Sequence, residues 1–197
     1  MQLRRAILSC LVVGLSLQAL PALAQAPDAV VFHRGQWGTE FTIGSGFAAA
    51  GVLRFSTPSR AVLLDVGAGY SHSSSTIGSS TIGPYSAIGD DVDLNLRLGT
   101  RSYRSIGRDL YRIVTLGASV NYQWETLRQD STRTTLHVIG GGVFADIGAT
   151  WLVTPHLGLG ARFGAAAGYS HTNAPNSNGT RFWVSIGNVA LAGQLYF

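Results

Sequence analysis

The segment Val114-Thr115-Leu116-Gly117-Ala118-Ser119-Val120-Asn121-Tyr122-Gln123-Trp124-Glu125 decides the fold. Its even-numbered residues are apolar or aromatic, and its odd-numbered residues are small or polar. Because successive side chains of a β-strand point to opposite faces of a sheet, this period of two predicts a strand with one apolar and one polar face. The segment is also long enough to cross a bilayer as a tilted strand, which takes about 9–11 residues.

The same alternation recurs before and after this segment, in residues 60–70, 91–99, 139–151, 157–169 and 189–197. Along the chain, short connections alternate with longer polar ones. The short ones are 57–59, 103–109 and 154–156, and the long ones are 73–90, 128–133 and 172–180. This order predicts antiparallel strands that pair with their neighbours in sequence, with all the long loops at one end of the sheet.

Two more strands are expected before residue 57, because an even strand number puts both chain ends on the same side. Glu40-Phe41-Thr42-Ile43 and Val52-Leu53-Arg54-Phe55 both alternate, and Gly44-Ser45-Gly46 between them suits a tight turn. One long strand in residues 32–55 is the alternative. With the six later segments the favoured count is eight, which predicts an all-β, antiparallel up-and-down transmembrane β-barrel.

The composition excludes several classes of protein. Only 12% of the 197 residues are charged, against about 25% in a soluble domain, and 25 residues are glycine. Intrinsic disorder is excluded because 46% of the residues are hydrophobic. Beyond the N-terminus no apolar run reaches the length of about 18 residues that a membrane helix needs. A soluble barrel would carry Lys, Glu and Asp on its outer face, whereas the polar face here is mostly Gly, Ser, Thr and Asn and suits a narrow interior.

Residues 1–24 have the layout of a secretory signal peptide, with two arginines, an apolar core and the small-x-small end Ala22-Leu23-Ala24. The expected division is therefore a signal peptide at 1–24, an N-terminal leader at 25–35 and the barrel at 36–197. The one cysteine, Cys10, lies inside the signal, so neither a disulfide nor a cysteine-based metal site is expected after its removal.

The alternating strands, the signal and the final segment Val189-Ala190-Leu191-Ala192-Gly193-Gln194-Leu195-Tyr196-Phe197 together resemble the small outer-membrane β-barrels of Gram-negative bacteria, the OmpA/OmpX-like family. The resemblance covers nearly the whole chain after the signal and implies the cell outer membrane as its location. It also implies a monomer in outer-membrane lipid. Its partner during biogenesis would be the outer-membrane assembly machinery, with Phe197 as the assembly signal. No motif for a cofactor or for nucleic acid stands out, so neither is expected.

An eight-stranded barrel has an interior just wide enough for side chains to fill. We expect the charges of the polar parity to meet there as an Arg–carboxylate network, because buried charges must be paired. A narrow polar path gated by such pairs is the alternative. The residues assigned to this network are Glu40, Arg54, Asp65, Asp93, Arg97, Glu125, Asp146 and Arg162.

Two strands end alike, in Tyr70-Ser71-His72-Ser73-Ser74 and in Tyr169-Ser170-His171. The second, with the loop after it, resembles the lipid A deacylase family, which implies a Ser–His–acid triad. The sequence departs from that pattern, because Thr172-Asn173 follows His171 and the last strand has no acid. His72, Ser74 and His171 are therefore weak catalytic candidates, and an interfacial role for the Tyr-Ser-His motif is favoured. The other histidines are scattered, so no metal site is expected.

The function expected is that of a non-enzymatic barrel, structural or acting on the surface through its outward loops, chiefly residues 73–90 and 172–181. The sequence does not name the surface ligand. A lipid-modifying barrel hydrolase and a narrow channel are the alternatives.

Overall fold

A computed structural model of the chain describes residues 32–44, 46–79, 83–129, 132–174 and 177–197. The expected signal peptide and residues 25–31 of the expected leader lie outside the described residues. The strands are β1 (Trp37–Gly44), β2 (Phe47–Thr57), β3 (Arg60–Ser79), β4 (Gly83–Gly107), β5 (Leu110–Gln129), β6 (Thr132–Thr154), β7 (Leu157–Ala174) and β8 (Ser177–Tyr196). Within these ranges, no helix is long and apolar enough to span a membrane.

The eight strands form a closed antiparallel barrel in which each strand pairs with the next and β1 pairs with β8. The predicted fold class and strand count are therefore confirmed, including the two short strands β1 and β2. We call the end that carries Trp37, Phe197 and the turns at 58–59, 108–109 and 155–156 the base, and the opposite end the rim. Trp37 and Phe197 exchange two backbone hydrogen bonds of 3.0 and 3.1 Å, which tie the start of β1 to the last described residue at the base.

The outward face of the barrel is a continuous apolar surface. The apolar residues of the alternating segments point outward, and several are more than half exposed, with Leu191 at 65%. Aromatic side chains border this surface at the base (Trp37, Trp151, Phe197) and towards the rim (Tyr70, Tyr122, Trp124, Tyr169). An apolar band between two aromatic girdles is the surface that a transmembrane barrel presents to lipid.

The strands run further towards the rim than the sequence predicts. The segment 73–90, expected to be a loop, is strand up to Ser79 and again from Gly83. Likewise, β5 and β6 extend to Gln129 and from Thr132, and at the base β4 continues to Gly107. The predicted loop bounds are wrong because the apolar alternation ends where a strand leaves lipid, whereas hydrogen bonding between strands continues in water.

A β-bulge in β8 changes which residues face outward, from even-numbered before Gly187 to odd-numbered after it. Gly164 pairs with Asn188 and Ala165 pairs with Ile186, so Gly187 is an extra residue in the ladder. Its φ of +98° is a conformation that glycine adopts without strain. Because of this bulge, Ile186 and Val189 both face outward although they differ in parity.

Candidate functional site

The base half of the lumen is centred on one buried carboxylate, that of Glu40 in β1, which is 1% exposed. Arg101 of β4 donates to both of its oxygens, at 2.9 Å for Nη2 to Oε1. Arg162 of β7 donates from Nη1 to Oε1 at 2.7 Å and from Nη2 to the Thr42 hydroxyl at 2.6 Å. Gln194 of β8 donates to Oε2 at 2.6 Å. Four strands thus meet at a single acid.

Further hydrogen bonds extend this cluster around the Glu40 carboxylate. Arg101 is fully buried and its Nε donates to the Thr115 hydroxyl at 3.0 Å. The Tyr196 hydroxyl donates to Oε1 of Gln194 at 2.6 Å. Buried ion pairs offset the cost of leaving water only when such additional bonds satisfy the remaining polar atoms. The Glu40 carboxylate meets that condition, and the polar side chains around it fill this part of the lumen.

Aromatic rings fill the lumen between this cluster and the base. Phe32 precedes β1 and is stacked on Phe55 at a centroid distance of 4.5 Å, with Tyr103 and Tyr196 each at 5.0 Å from Phe32. Backbone hydrogen bonds from Gly35 to Phe55 (2.8 Å) and from Phe55 to Gln36 (2.9 Å) hold the segment in place. The stretch before the first strand therefore closes the base of the barrel from within.

A second charged group lies on the rim side of the Glu40 cluster. Arg97 of β4 donates to the carboxylate of Asp146 in β6. Its guanidinium lies 3.7 Å from the ring centroid of Phe144, a cation–π arrangement. Oδ2 of Asp65 in β3 lies 4.0 Å from Nη1 of Arg97, which is beyond hydrogen-bonding distance. Arg97 therefore hydrogen-bonds to Asp146 and not to Asp65.

The rim half of the lumen is open. A cavity of about 660 Å³ lies there, and its lining includes Asp65, Asp93, Arg97, Asn121 and Trp183. Small inward residues leave this space, since Gly67, Gly69 and Ala49 also border it. The cavity opens towards the rim because the base half of the lumen is filled.

The structure brings five of the eight predicted network residues into ion pairs: Glu40, Asp65, Arg97, Asp146 and Arg162. Asp93 lines the cavity, and Glu125 is half-buried on the inward parity. Among the described residues neither of them forms an ion pair.

The expectation for Arg54 is wrong. Its side chain is exposed on the outward face and lies 5.3 Å from the ring centroid of Trp37. The inward positions of that stretch belong to Leu53 and Phe55, which are almost fully buried. Apolar residues occupy the interior at the base, and an arginine at the membrane surface can reach water along its flexible stem.

Arg101 is the network residue that the sequence reasoning missed. It shares the inward parity of Arg97 and lies four residues later, but the strand was expected to end at residue 99. Extending the alternation by one more pair of residues would have placed Arg101 in the lumen. Gln194 had the predicted polar parity, although its bond to Glu40 was not foreseen.

The weak catalytic candidates lie on the outward side near the rim. His72 Nδ1 is 2.8 Å from Oδ1 of Asp90, and the Tyr70 hydroxyl donates to the same oxygen at 3.0 Å. These two contacts lower the pKa of the Asp90 carboxyl. Ser74 is exposed, and no hydrogen bond joins it to His72 in the described part of the chain. His171 Nδ1 instead lies 3.3 Å from the Thr180 hydroxyl.

Metal binding has no support in the described ranges, where no three His, Cys, Asp or Glu side chains converge. The side chain of Phe197 is exposed on the outward face at the base. Its role as an assembly signal stays a prediction.

Comparison with solved structures concerns the fold. A major outer membrane protein from Thermus thermophilus matches with a TM-score of 0.51 and 11% identity, over 82% of this chain and 98% of that one. The chain has the fold of a small outer-membrane β-barrel. Together with the apolar band, this fold places the barrel in the outer membrane.

Other solved outer-membrane barrels match at lower scores. The N-terminal barrel domain of Pseudomonas aeruginosa OprF is 12% identical, with a TM-score of 0.44, over 84% of this chain and 100% of that one. Ail, the attachment invasion locus protein of Yersinia pestis, is 10% identical, with a TM-score of 0.41, over 82% and 94%. No protein-family model matches the chain, and no curated protein does.

Proposed function

We propose that the protein is a sealed outer-membrane barrel that acts at the cell surface through the sheet that rises above its rim. In this role the lumen carries no flow of solutes and the barrel holds the outer sheet in place. The observation that carries the proposal is the shape of the sheet above the β1–β2 turn.

Sealing is supported by the base half of the lumen. Glu40, Arg101 and Gln194 are each 1% exposed or less, and the rings of Phe32 and Phe55 are stacked beneath them. A passage would need water in contact with these side chains. An eight-stranded barrel also has too small a diameter for an open pore.

Among the described residues, the sheet at the rim has two edges without a neighbouring strand. β1 ends at Gly44 and β2 begins at Phe47, which pairs with Gly69. Beyond that level β3 continues to Ser79 with only β4 beside it. Similarly, β1 reaches only Ala190 of β8, so within the described ranges residues 177–189 of β8 have only β7 beside them. At the usual rise of a strand, the edge on β3 runs for roughly 30 Å and the edge on β8 for roughly 40 Å.

A free strand edge presents unpaired backbone N–H and C=O groups, which pair readily with an added strand. Main-chain hydrogen bonds to the edge bind an extended segment of any sequence, and contacts with the side chains beside the edge determine the specificity. The β3 edge begins Ser71-His72-Ser73-Ser74, a polar stretch that suits a surface exposed to water. We therefore favour an extended protein segment as the surface partner.

The test shortens one edge and leaves the barrel intact. Residues 75–87 are replaced by an Asn-Gly turn that joins Ser74 to its register partner Ile88. The matched control replaces residues 128–133 in the same way, because β5 and β6 lie in the interior of the sheet and border neither free edge. We expect cells with the first variant to lose adhesion to fibronectin, laminin and one another, and cells with the control variant to keep it.

Equal adhesion by wild-type cells and cells without the protein would contradict the proposal. If the role is purely structural, a deletion strain should lose detergent resistance, and the shortened variant should restore that resistance as well as the wild type does.

The sealed lumen is tested separately by single-channel recording of the wild type. No conductance above background is expected, and a steady open level would contradict the seal.

The hydrolase is a second candidate because His72 has an acid partner, Asp90, at 2.8 Å. The dyad supplies the base and the orienting acid of a triad, with Ser74 two residues along as the nucleophile. Mass spectrometry of lipid A from cells with and without the protein tests it. A lost acyl chain that returns in the Ser74→Ala variant would support the hydrolase, and an unchanged pattern would refute it.

A further inference from the structure

The outward face of the barrel carries a group of arginines at the base. They lie near the base ends of four consecutive strands, β2 to β5, and have the same even parity as the outward apolar residues of those strands. We call them the arginine belt, and its members are Arg54, Arg60, Arg104 and Arg112. The belt lies directly below the apolar band, at the level where lipid headgroups meet a transmembrane barrel.

The members of the belt are neighbours on one face of the sheet. In register, Arg104 lies directly opposite Arg112. Arg60 is the diagonal neighbour of Arg104, and Arg54 is the diagonal neighbour of Arg60. Opposite residues have Cβ atoms about 4.5–5.5 Å apart, and diagonal neighbours are about 7–8 Å apart. Two adjacent guanidinium groups can therefore reach the same anion.

The belt has no acidic partner in the part of the chain that the structure describes. Glu40 lies inside the lumen, and Asp109, in the turn after β4, is 3.7 Å from Nε of a different arginine, Arg108. Like charges directly opposite each other on a sheet are destabilising. The opposed pair Arg104 and Arg112 therefore favours an anion that binds between the two side chains.

The rest of the base is apolar on its outward face. On β6 to β8 the exposed residues at this level are Trp151, Leu159, Leu195 and Phe197. The positive charge is therefore confined to one side of the barrel. This uneven distribution indicates a localised binding site rather than a ring of charge around the whole base.

We propose that the arginine belt binds an anionic phospholipid, with the lipid phosphate between Arg104 and Arg112 and the acyl chains on the apolar band. A guanidinium group can donate two parallel hydrogen bonds to phosphate oxygens. Val62 and Leu116 are exposed on the same strands as the belt and offer apolar surface to the chains. The ligand therefore combines a phosphate with a hydrocarbon tail, as the surface does charge with apolar area.

Two other sources of phosphate fit the belt less well. Inorganic phosphate would contact the arginines and leave the apolar surface above them unused. Lipopolysaccharide belongs to the opposite leaflet, because the short turns of such barrels face the periplasm and the leaflet on that side consists of phospholipid. We therefore take phosphatidylglycerol as the ligand.

The test uses native mass spectrometry of the folded protein released from detergent micelles. Phosphatidylglycerol and phosphatidylcholine with identical acyl chains are titrated separately, and the bound fraction gives an apparent Kd for each lipid. The wild type should bind phosphatidylglycerol about tenfold more tightly, since each arginine near a membrane surface contributes about 1 kcal/mol to the attraction of anionic lipid. The double variant Arg104→Gln with Arg112→Gln should lose most of this preference.

The matched control is the double variant Arg128→Gln with Arg181→Gln, which removes the same charge from two exposed arginines towards the rim. It should keep the preference for phosphatidylglycerol. Heat-modifiable gel mobility shows whether each variant is folded. If the belt variant does not fold, the comparison of the two lipids on the wild type decides.

Four results would overturn the proposal. They are equal binding of the two lipids by the wild type, an unchanged preference in the belt variant, an equal loss in the control variant, and tighter binding of lipid A than of phosphatidylglycerol. Inorganic phosphate tests whether the acyl chains matter. It should not displace phosphatidylglycerol at equal concentration, and displacement would show that the belt is a site for free phosphate.

Discussion

The two halves of the lumen are built on the same strands and differ in what fills them. In the base half one carboxylate, that of Glu40, pairs with two arginines, and both of its oxygens accept hydrogen bonds. In the rim half the carboxylate of Asp65 has no donor, and a cavity of about 660 Å³ remains. The strand number fixes the diameter in both halves. Side-chain volume on the inward parity therefore decides whether a small barrel is closed or hollow.

The base half of the lumen contributes most of the packing, whereas the rim half contains the space in which a ligand could bind. The base half contains the fully buried large side chains, including Arg101, Tyr196 and Phe55. The rim half contains small residues and unpaired acceptors, which contribute little to packing and leave room for a ligand. Substitutions in the base half of the lumen should therefore lower stability more than those in the rim half.

The largest effect is expected from Glu40→Gln, which leaves Arg101 and Arg162 buried without a counter-charge. Removing one member of a buried ion pair costs about 3–5 kcal/mol. Unfolding by urea in detergent micelles, followed by tryptophan fluorescence, measures the loss. The control Asp93→Asn removes an inward acid that has no ion pair in the described residues and should change stability by much less. Equal losses in the two variants would contradict the division between the halves.

The next effect compares two phenylalanines of β2. Phe55→Ala removes a ring that is stacked in the base, and such a change costs about 3–5 kcal/mol. Phe47→Ala removes a ring that borders the cavity and should cost clearly less, because fewer atoms pack against it. The same unfolding experiment compares them. A larger loss for Phe47→Ala would show that the rim half is packed as well as the base.

A smaller effect is expected from Gly148→Ala. A Cβ at this position would lie 2.8 Å from Cα and 2.9 Å from Cβ of Arg162, so β6 and β7 would have to separate. Overpacking of this kind costs about 1–3 kcal/mol. Gly193→Ala is the control, because a Cβ there meets no atom within 4 Å. Its unfolding midpoint should stay level with the wild type or rise slightly, and a fall as large as that of Gly148→Ala would refute the steric explanation.

The smallest effect concerns the outward face near the rim. The pKa of Asp90 is lowered by its contacts with His72 and Tyr70. A carboxyl whose pKa is lower in the folded state contributes stability above its unfolded pKa of about 3.9 and loses it as the pH falls through the folded value. NMR shifts of the Tyr70 ring should therefore change in acid below that pH. The change should be absent in Asp90→Asn, and its persistence there would exclude this carboxyl as the cause.

The sequence predicted the membrane-facing part of the barrel well. Val114 to Glu125 alternates because one face meets lipid and the other meets the lumen, and the structure confirms the strand. The outer part is predicted poorly, because the segment 73–90 loses its apolar face where it enters water and therefore resembles a loop in sequence, whereas most of it is strand. The error for Arg54 has a related origin, since polar residues were assumed to face inward even at the base, where Leu53 and Phe55 occupy the interior.

The sequence determines the strands and which residues of a regular strand share a face, because a period of two is a local property of the chain. Which charges meet is not local. Glu40 and Arg162 are 122 positions apart and come together only because β1 closes the ring against β8. Ring closure also left Asp65 without a donor, since Arg97 bonds to Asp146 across the lumen instead. The partners of each charge depend on barrel diameter and register, which no single strand specifies.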